Sequence, residues 1–148
     1  MHAPYFDEKD AQNAMKRVAL IVYEDAVLSA LSGPLDILAG TNRFLTETGR
    51  PPAFQIELVS EKLKNIQLHQ PAQFICHKTL AEATPPDLVI VPAFNGSPEA
   101  VLTKNAALVR WIQSITQRGT EAASLCYGSY FLAEAGLLNG RSCTSHWR

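Results

Sequence analysis

The stretch Glu121-Ala-Ala-Ser-Leu-Cys126-Tyr-Gly-Ser-Tyr-Phe-Leu-Ala-Glu-Ala-Gly136 decides the fold. Its first residues are apolar enough for a buried strand, and a helical pattern begins near Gly128. Ser124 and Gly128 lie two residues on either side of Cys126, and a sharp strand-to-helix turn has no room for larger flanking side chains. Such a turn holds its central residue in a strained conformation with the side chain exposed. The sequence therefore predicts an elbow with Cys126 at its apex.

The chemistry of this elbow depends on what surrounds the thiol. The first amides of the following helix favour negative charge at Cys126, and the thiolate is the reactive form of cysteine. An inert cysteine buried in the core is the alternative, because isolated cysteines are most often buried. The small flanking residues and the switch from strand to helix favour the elbow.

Composition narrows the class of protein. The 148 residues suffice for one α/β domain, and a formal net charge of -1 gives no general attraction to nucleic acid or anionic membranes. The three cysteines, Cys76, Cys126 and Cys143, are widely spaced and form no CxxC pair, which argues against a disulfide framework or a zinc site. No stretch approaches the roughly 20 apolar residues of a membrane span. We expect a cytoplasmic protein without a metal or cofactor.

Two kinds of pattern alternate along the chain. Residues 18–22 and 88–91 are unbroken apolar runs, typical of strands covered on both faces, and residues 54–59 alternate between apolar and polar side chains. A helix is predicted to open at Ser32-Gly-Pro34, with Pro34 in its first turn, and another to run from Pro98 to Gly119. Strands interleaved with helices indicate a three-layer αβα sandwich with a mainly parallel sheet, flavodoxin-like or amidotransferase-like.

This architecture predicts one pocket, because ligands in such folds bind beyond the carboxyl ends of the strands. The loop after residue 22, the loop at residues 92–96 and Cys126 all fall at such ends. Glu24 and Asp25 follow the first strand and are interpreted as solvated loop residues; an acid that reaches the pocket from this loop is the alternative. The histidines that show no metal-ligand spacing are interpreted as surface or loop residues: His2, His69 and His77.

These residues resemble the ThiJ/PfpI superfamily, whose fold is like that of class I glutamine amidotransferases. The resemblance extends from about Arg17 onward, so residues 1–16 are expected to be a loosely ordered lead-in and residues 17–148 the domain. Each motif alone is weak, but their order and spacing are specific. The matching motifs are Ser32-Gly-Pro-Leu-Asp36, Asp87-Leu-Val-Ile-Val-Pro92, Ser124-Leu-Cys126-Tyr-Gly128, Leu132-Ala-Glu-Ala-Gly-Leu-Leu-Asn-Gly140 and Thr144-Ser-His146-Trp147.

The last two motifs look most like the N-terminal domain of AraC-type transcriptional regulators. The resemblance implies a small-molecule effector, a homodimer, and DNA binding only through a helix-turn-helix domain outside this chain. The chain ends at Arg148, earlier than the resembling domains, so a truncated domain is expected. By the same resemblance, five residues are predicted to line the ligand pocket: Gly33, Pro34, Asn95, Gly96 and Tyr127.

The chain departs from the enzymes of this superfamily at three places. Tyr127 follows the cysteine where those enzymes usually carry histidine, and residues 29–32 lack the acid that polarises the thiol in similar hydratases. Residues 92–96 keep only the later glycine of a loop whose amides help to form an oxyanion hole. A thiol nucleophile needs a base or another means of activation, and its oxyanion needs donors. These departures favour a binding domain over a hydrolytic enzyme.

Three functions remain open at this point. The first is a ligand-sensing domain of an AraC-type regulator. The second is a cysteine-dependent hydrolase or hydratase that uses Cys126 with His146; a structural role for His146 beside Trp147 is the alternative. The third is a redox sensor, in which Cys126 would be oxidised before Cys76 and Cys143.

Overall fold

The computed structural model describes residues 15–62 and 65–145, so the predicted lead-in up to residue 14 and the predicted base His146 lie outside the described residues. In chain order the elements are β1 (Lys16–Ile21), α1 (Leu28–Glu47), β2 (Phe54–Ser60), β3 (Asn65–Gln67), β4 (Gln73–Ile75), β5 (Lys78–Thr79), β6 (Leu88–Val91), α2 (Pro98–Lys104), α3 (Ala106–Thr116), β7 (Glu121–Ser124), a short 3-10 turn (Cys126–Gly128) and α4 (Ser129–Glu134).

The main sheet has five strands in the order β5-β2-β1-β6-β7, and every pairing in it is parallel. Helices flank this sheet, as the interleaved pattern predicts. Strands β3 and β4 form a separate antiparallel pair. The predicted fold class, an α/β sandwich of the flavodoxin-like type with a mainly parallel sheet, is confirmed. Among the described residues, no helix has the length and apolar character to cross a membrane.

The core lies on the two central strands. All residues of 18–21 in β1 and of 89–91 in β6 are buried. Since consecutive residues of both strands are buried, both faces of the sheet are covered there. Helix α3 adds Leu108, Ile112 and Ile115, which recur at helical spacing on its buried side.

Helix α1 begins earlier than predicted. It starts at Leu28, so Pro34 lies inside the helix and not in its first turn. The reason is a tertiary contact: the Val27 amide donates to the Ala93 carbonyl at 2.8 Å and starts the helix before the proline. Pro34 cannot donate to the preceding turn, and the helix continues past this missing hydrogen bond.

Two other predictions need correction. The helix predicted from Pro98 to Gly119 is interrupted at Asn105, which separates α2 from α3. The strand before the elbow is not fully buried: Glu121 and Ala123 are exposed. The reason is its position, because among the described strands β7 pairs with β6 alone and forms the sheet edge.

Candidate functional site

The turn predicted at Cys126 is present. Leu125 ends the strand by donating its amide to the Val91 carbonyl at 3.0 Å, and the chain then reverses into the 3-10 turn. Cys126 has a φ of 50°, and within residues 15–62 and 65–145 it alone combines a positive φ with a side chain. This left-handed conformation is unfavourable for residues other than glycine. Cys126 is exposed, so the strained turn places its side chain in solvent at the carboxyl edge of the sheet.

Gly128 explains why the elbow needs a small residue. A Cβ atom at this position would overlap the Val91 carbonyl oxygen and lie 2.7 Å from the Pro92 carbonyl oxygen. Both obstacles are backbone atoms of the neighbouring strand end, which cannot rotate away. The close approach brings the elbow against the end of β6.

The described chain returns to the elbow at its last residue. The Ser129 hydroxyl donates to the Ser145 hydroxyl at 2.7 Å, and the Ser145 hydroxyl makes a longer contact of 3.5 Å with the Cys126 carbonyl. In the sequence, His146 follows Ser145 directly. Ser145, the residue directly before the predicted base, thus lies beside the predicted nucleophile Cys126.

Aromatic side chains pack between the elbow and the end of β6. The ring of Phe94 lies 5.5 Å from that of Tyr127, 6.2 Å from Tyr130 and 5.8 Å from Phe131, measured between centroids. Tyr23 joins them through Phe131 at 5.2 Å. Tyr127, the residue directly after Cys126, is therefore part of an aromatic cluster.

The loop after β1 is held against the loop after β6. Ala26 and Phe94 form an antiparallel bridge, and the Asn95 amide donates to the Asp25 carbonyl at 2.9 Å. The Tyr23 hydroxyl donates to the Pro92 carbonyl at 2.7 Å. Burial, together with the nearby Asp25 carboxylate, raises the pKa of Tyr23 far above its usual range, so this phenol remains a hydrogen-bond donor.

Asp25 is the centre of a charged cluster that the sequence did not reveal. One carboxylate oxygen lies 2.9 Å from His69 Nε2, and the other accepts from Lys104 Nζ at 3.0 Å. Lys104 also lies 2.9 Å from Glu24, but the Glu24 side chain is 60% exposed whereas that of Asp25 is 11% exposed. The prediction of a solvated loop acid is wrong for Asp25, because two basic side chains compensate for its burial.

Hydrogen bonding decides the ionisation of this cluster. Burial on its own would raise the pKa of Asp25, but the hydrogen bonds to His69 and Lys104 and the lysine charge outweigh it, so this pKa is lowered. The hydrogen bonds to Glu24 and Asp25 raise the pKa of Lys104. Asp25 and Lys104 are thus both charged at neutral pH.

A cavity of about 300 Å³ opens beside this cluster. Two of the predicted pocket residues, Asn95 and Gly96, line it, and Gly96 has a φ of 110° that only glycine adopts readily. Its other lining residues come from the loop after β1, the β3–β4 connection, the loop after β6 and α2: Asp25, His69, Ser97, Ala100, Val101 and Lys104.

The other predicted pocket residues lie elsewhere. Gly33 and Pro34 belong to α1, and a Cβ atom at Gly33 would have no heavy atom within 4 Å. Tyr127 belongs to the aromatic cluster around Phe94 and does not line this cavity. Among the described residues, no group of three or more His, Cys, Asp or Glu side chains is arranged to hold a metal ion.

Comparison with known proteins identifies a family. The model of the DJ-1/PfpI family matches residues 16–148. An uncharacterized protein from the cpoL 5′ region of Streptomyces lividans is 30% identical over 138 residues, which cover 89% of this chain and 88% of that protein.

Two further relatives have stated activities. The isonitrile hydratase of Pseudomonas putida is 25% identical over 131 residues, which cover 88% of this chain but only 52% of the enzyme. The transcriptional regulator CdhR of Pseudomonas aeruginosa, of the helix-turn-helix type, is 46% identical over 41 residues, covering 28% of this chain and 12% of the regulator. Both proteins extend well beyond the region that they share with this chain.

A solved structure supports the fold over most of the chain. The crystal structure of an AraC family transcriptional regulator from Pseudomonas putida superimposes with a TM-score of 0.71 at 21% identity. The superposition covers 89% of this chain and 67% of the other.

Proposed function

The chain belongs to the DJ-1/PfpI family, and we propose that it is the ligand-sensing domain of an AraC-type transcriptional regulator. In this role a small-molecule effector binds at the carboxyl edge of the sheet, in the cavity beside Asp25 that Asn95 and Gly96 line. DNA is bound by a helix-turn-helix domain outside this chain, and the protein acts in the cytoplasm as a homodimer. The motif series and the short, closely similar segment shared with CdhR support this assignment.

One observation carries the proposal: the elbow geometry is retained, while the residue after the cysteine has a packing role. Cys126 keeps its left-handed backbone, yet Tyr127 packs against Phe94 where family enzymes usually carry histidine. A nucleophilic thiol needs an adjacent base or another means of activation. A phenol in an aromatic cluster is a poor substitute for imidazole, so the pocket is better suited to binding than to turnover.

The cavity beside Asp25 supplies the chemistry for recognition. Lys104 and Asp25 provide charges of both signs, and Asn95 provides an amide at the same opening. Small-molecule pockets are typically concave and partly apolar, with a small number of polar groups held at fixed positions. We therefore propose a polar metabolite with both hydrogen-bond donors and acceptors as the effector.

A ligand screen tests the sensor function. Metabolites that raise the melting temperature of the chain would be titrated by calorimetry into the wild type, Asn95→Ala and Asn139→Ala. Binding to the wild type and to Asn139→Ala, with at least tenfold weaker binding to Asn95→Ala, is expected, because Asn139 is exposed and lies outside this cavity. Equal affinity in all three proteins would contradict the proposed pocket.

The regulator assignment has a separate test in the gene. The reading frame that encodes this chain is expected to encode a helix-turn-helix domain downstream of the codon for Arg148. A reading frame without such a domain would contradict the regulator assignment. The proposed ligand pocket would then still be tested by the binding experiment above.

A cysteine-dependent hydratase or hydrolase is the second candidate function. The exposed, strained Cys126 and the contact of Ser145 with its carbonyl favour it, as does the relationship to isonitrile hydratase. Turnover of isonitriles or amides by the wild type would be compared with Cys126→Ala and His146→Ala. Loss of turnover in both variants supports the enzyme, and activity that persists in Cys126→Ala excludes this mechanism.

A further inference from the structure

His69 reaches the cavity from a turn that is held at several points. The turn joins β3 to β4, and Leu68 anchors it in the core with only 3% of its surface exposed. The Gln67 side-chain amide lies 3.1, 3.2 and 3.0 Å from the carbonyl oxygens of Leu68, Gln70 and Ala72, to which it donates. These bonds hold the imidazole of His69 at the cavity wall, while its side chain stays 63% exposed.

The Asp25 carboxylate determines which ring nitrogen of His69 carries a proton. Burial would raise the pKa of Asp25, but its hydrogen bonds to His69 and Lys104 lower it, so this group is ionised at neutral pH. An ionised carboxylate only accepts hydrogen bonds. His69 Nε2, which lies 2.9 Å from the Asp25 oxygen, therefore carries the proton and donates it. In the neutral ring, Nδ1 is then a hydrogen-bond acceptor.

This second nitrogen is open to a ligand. Within residues 15–62 and 65–145, Nδ1 of His69 makes no hydrogen bond. Asp25 and Lys104, which line the same cavity, differ in this respect because they bind each other at 3.0 Å. An unused acceptor at the wall of a concave site suits a ligand group that donates a hydrogen bond.

The surrounding charges favour the same kind of ligand group. When His69 is neutral, the carboxylates of Glu24 and Asp25 outnumber the one ammonium group that contacts them, that of Lys104. A ligand carboxylate or phosphate beside His69 would face another acceptor and a surplus of negative charge. A hydroxyl, amide or ammonium group would face neither obstacle.

We propose that His69 selects the effector, and that a hydroxyl, amide or ammonium group of the ligand donates a hydrogen bond to Nδ1 of the neutral ring. This inference rests on the effector pocket proposed above and adds the chemical class of the group that binds there. His69 is thus a specificity-determining residue of the pocket, and Gln67 positions it through the turn.

This role makes ligand choice depend on pH. Histidine side chains change charge between about pH 5 and pH 8, and the protonated ring donates from both nitrogens, so acidification favours a ligand group that accepts. Asp25 and Lys104 keep their charges over this range, since the pKa of the first is lowered and that of the second is raised. Glu61 and Lys62, after β2, line the adjoining opening with opposite charges. Strands β3 and β4 and their turn carry no charged side chain besides His69.

A matched pair of small probes tests the selection. Acetamide and acetate have the same shape, but acetamide offers N–H donors whereas acetate only accepts. Their binding to the isotope-labelled wild type would be followed by NMR through three cavity residues, Asn95, Gly96 and Ser97. At pH 8 we expect acetamide to bind about tenfold more tightly than acetate, and at about pH 5 the preference should reverse.

Two variants identify the residue responsible for the reversal. His69→Gln has a side chain that does not titrate, so its preference between the probes is expected to be the same at both pH values. Gln73→Ala, at an exposed position of β4 outside the cavity, is the control and should reverse like the wild type. Probe binding without reversal, or reversal that persists in His69→Gln, would overturn this role of His69 and leave the effector pocket standing. Binding of neither probe at the cavity would contradict both.

Discussion

Two loops at the same edge of the sheet are held in place by different means. The elbow at residues 125–128 is fixed by backbone geometry: Cys126 is left-handed, and Gly128 is pressed against the backbone at the end of β6. The loop that carries Asp25 is fixed by side chains far away in the sequence, His69 and Lys104. The elbow can therefore be recognised from five consecutive residues, whereas the charged cluster becomes visible only in the folded chain.

The difference has a functional consequence. The elbow places a single exposed sulfur on a strained turn, with the Ser145 hydroxyl 3.5 Å from the Cys126 carbonyl oxygen. The Asp25 loop provides charges and hydrogen bonds beside a cavity but no strained nucleophile. Together they suit a pocket that recognises a ligand better than one that transforms it.

The largest effect is expected from Gly128→Ala. The added methyl group would overlap backbone oxygens of β6, and because these cannot move aside, we expect a loss of about 3 kcal/mol in the free energy of unfolding. Urea denaturation measures it. Ser124→Ala, on the other flank of the cysteine, is the control and should change stability by less than about 0.5 kcal/mol. Equal effects of the two substitutions would show that the elbow is not sterically constrained.

A smaller loss is expected from Asp25→Asn. The asparagine side chain keeps the shape of Asp25 but removes the negative charge that binds both His69 and Lys104. Hydrogen bonds to charged groups contribute about 2 kcal/mol. Glu24→Gln is the matched control, since its exposed pair with Lys104 is expected to contribute less than about 0.5 kcal/mol. A lower urea midpoint for Asp25→Asn than for Glu24→Gln is expected if the cluster holds the loop. Equal midpoints of the two variants would contradict this role.

Asp25 also predicts a pH dependence. Its pKa in the folded protein is lower than its ordinary value of 3.8, so its contribution is complete above pH 3.8 and is lost as the pH falls through the folded value. The free energy of unfolding of the wild type should therefore decrease more steeply on acidification than that of Asp25→Asn. Parallel pH profiles of the two proteins would contradict the role of this carboxylate.

The smallest effect is expected from relief of strain at the elbow. Cys126→Gly and Cys126→Ala both remove the sulfur, but only glycine adopts a φ near 50° readily. After allowance for the greater flexibility of glycine in the unfolded chain, we expect Cys126→Gly to be about 0.5–1 kcal/mol more stable than Cys126→Ala. A more stable alanine variant, measured by urea denaturation, would show that the turn is not strained.

The sequence predicted those parts of the molecule that depend on neighbouring residues. The apolar runs of β1 and β6 indicated central parallel strands, and Ser124 to Gly128 indicated the elbow. The start of α1 was misplaced because the contact of Val27 with Ala93 overrides the local signal of Pro34. The Asp25 cluster was missed because its partners lie 44 and 79 residues away and no local pattern connects them.

The most direct measurement follows the fate of a bound effector. A metabolite identified by thermal shift would be incubated with stoichiometric wild-type protein and with Cys126→Ala, then recovered and analysed by mass spectrometry. A pocket for sensing predicts that the ligand binds the wild type and is recovered unchanged from both proteins. Conversion of the ligand by the wild type but not by Cys126→Ala would contradict this account and identify the elbow as a catalytic site.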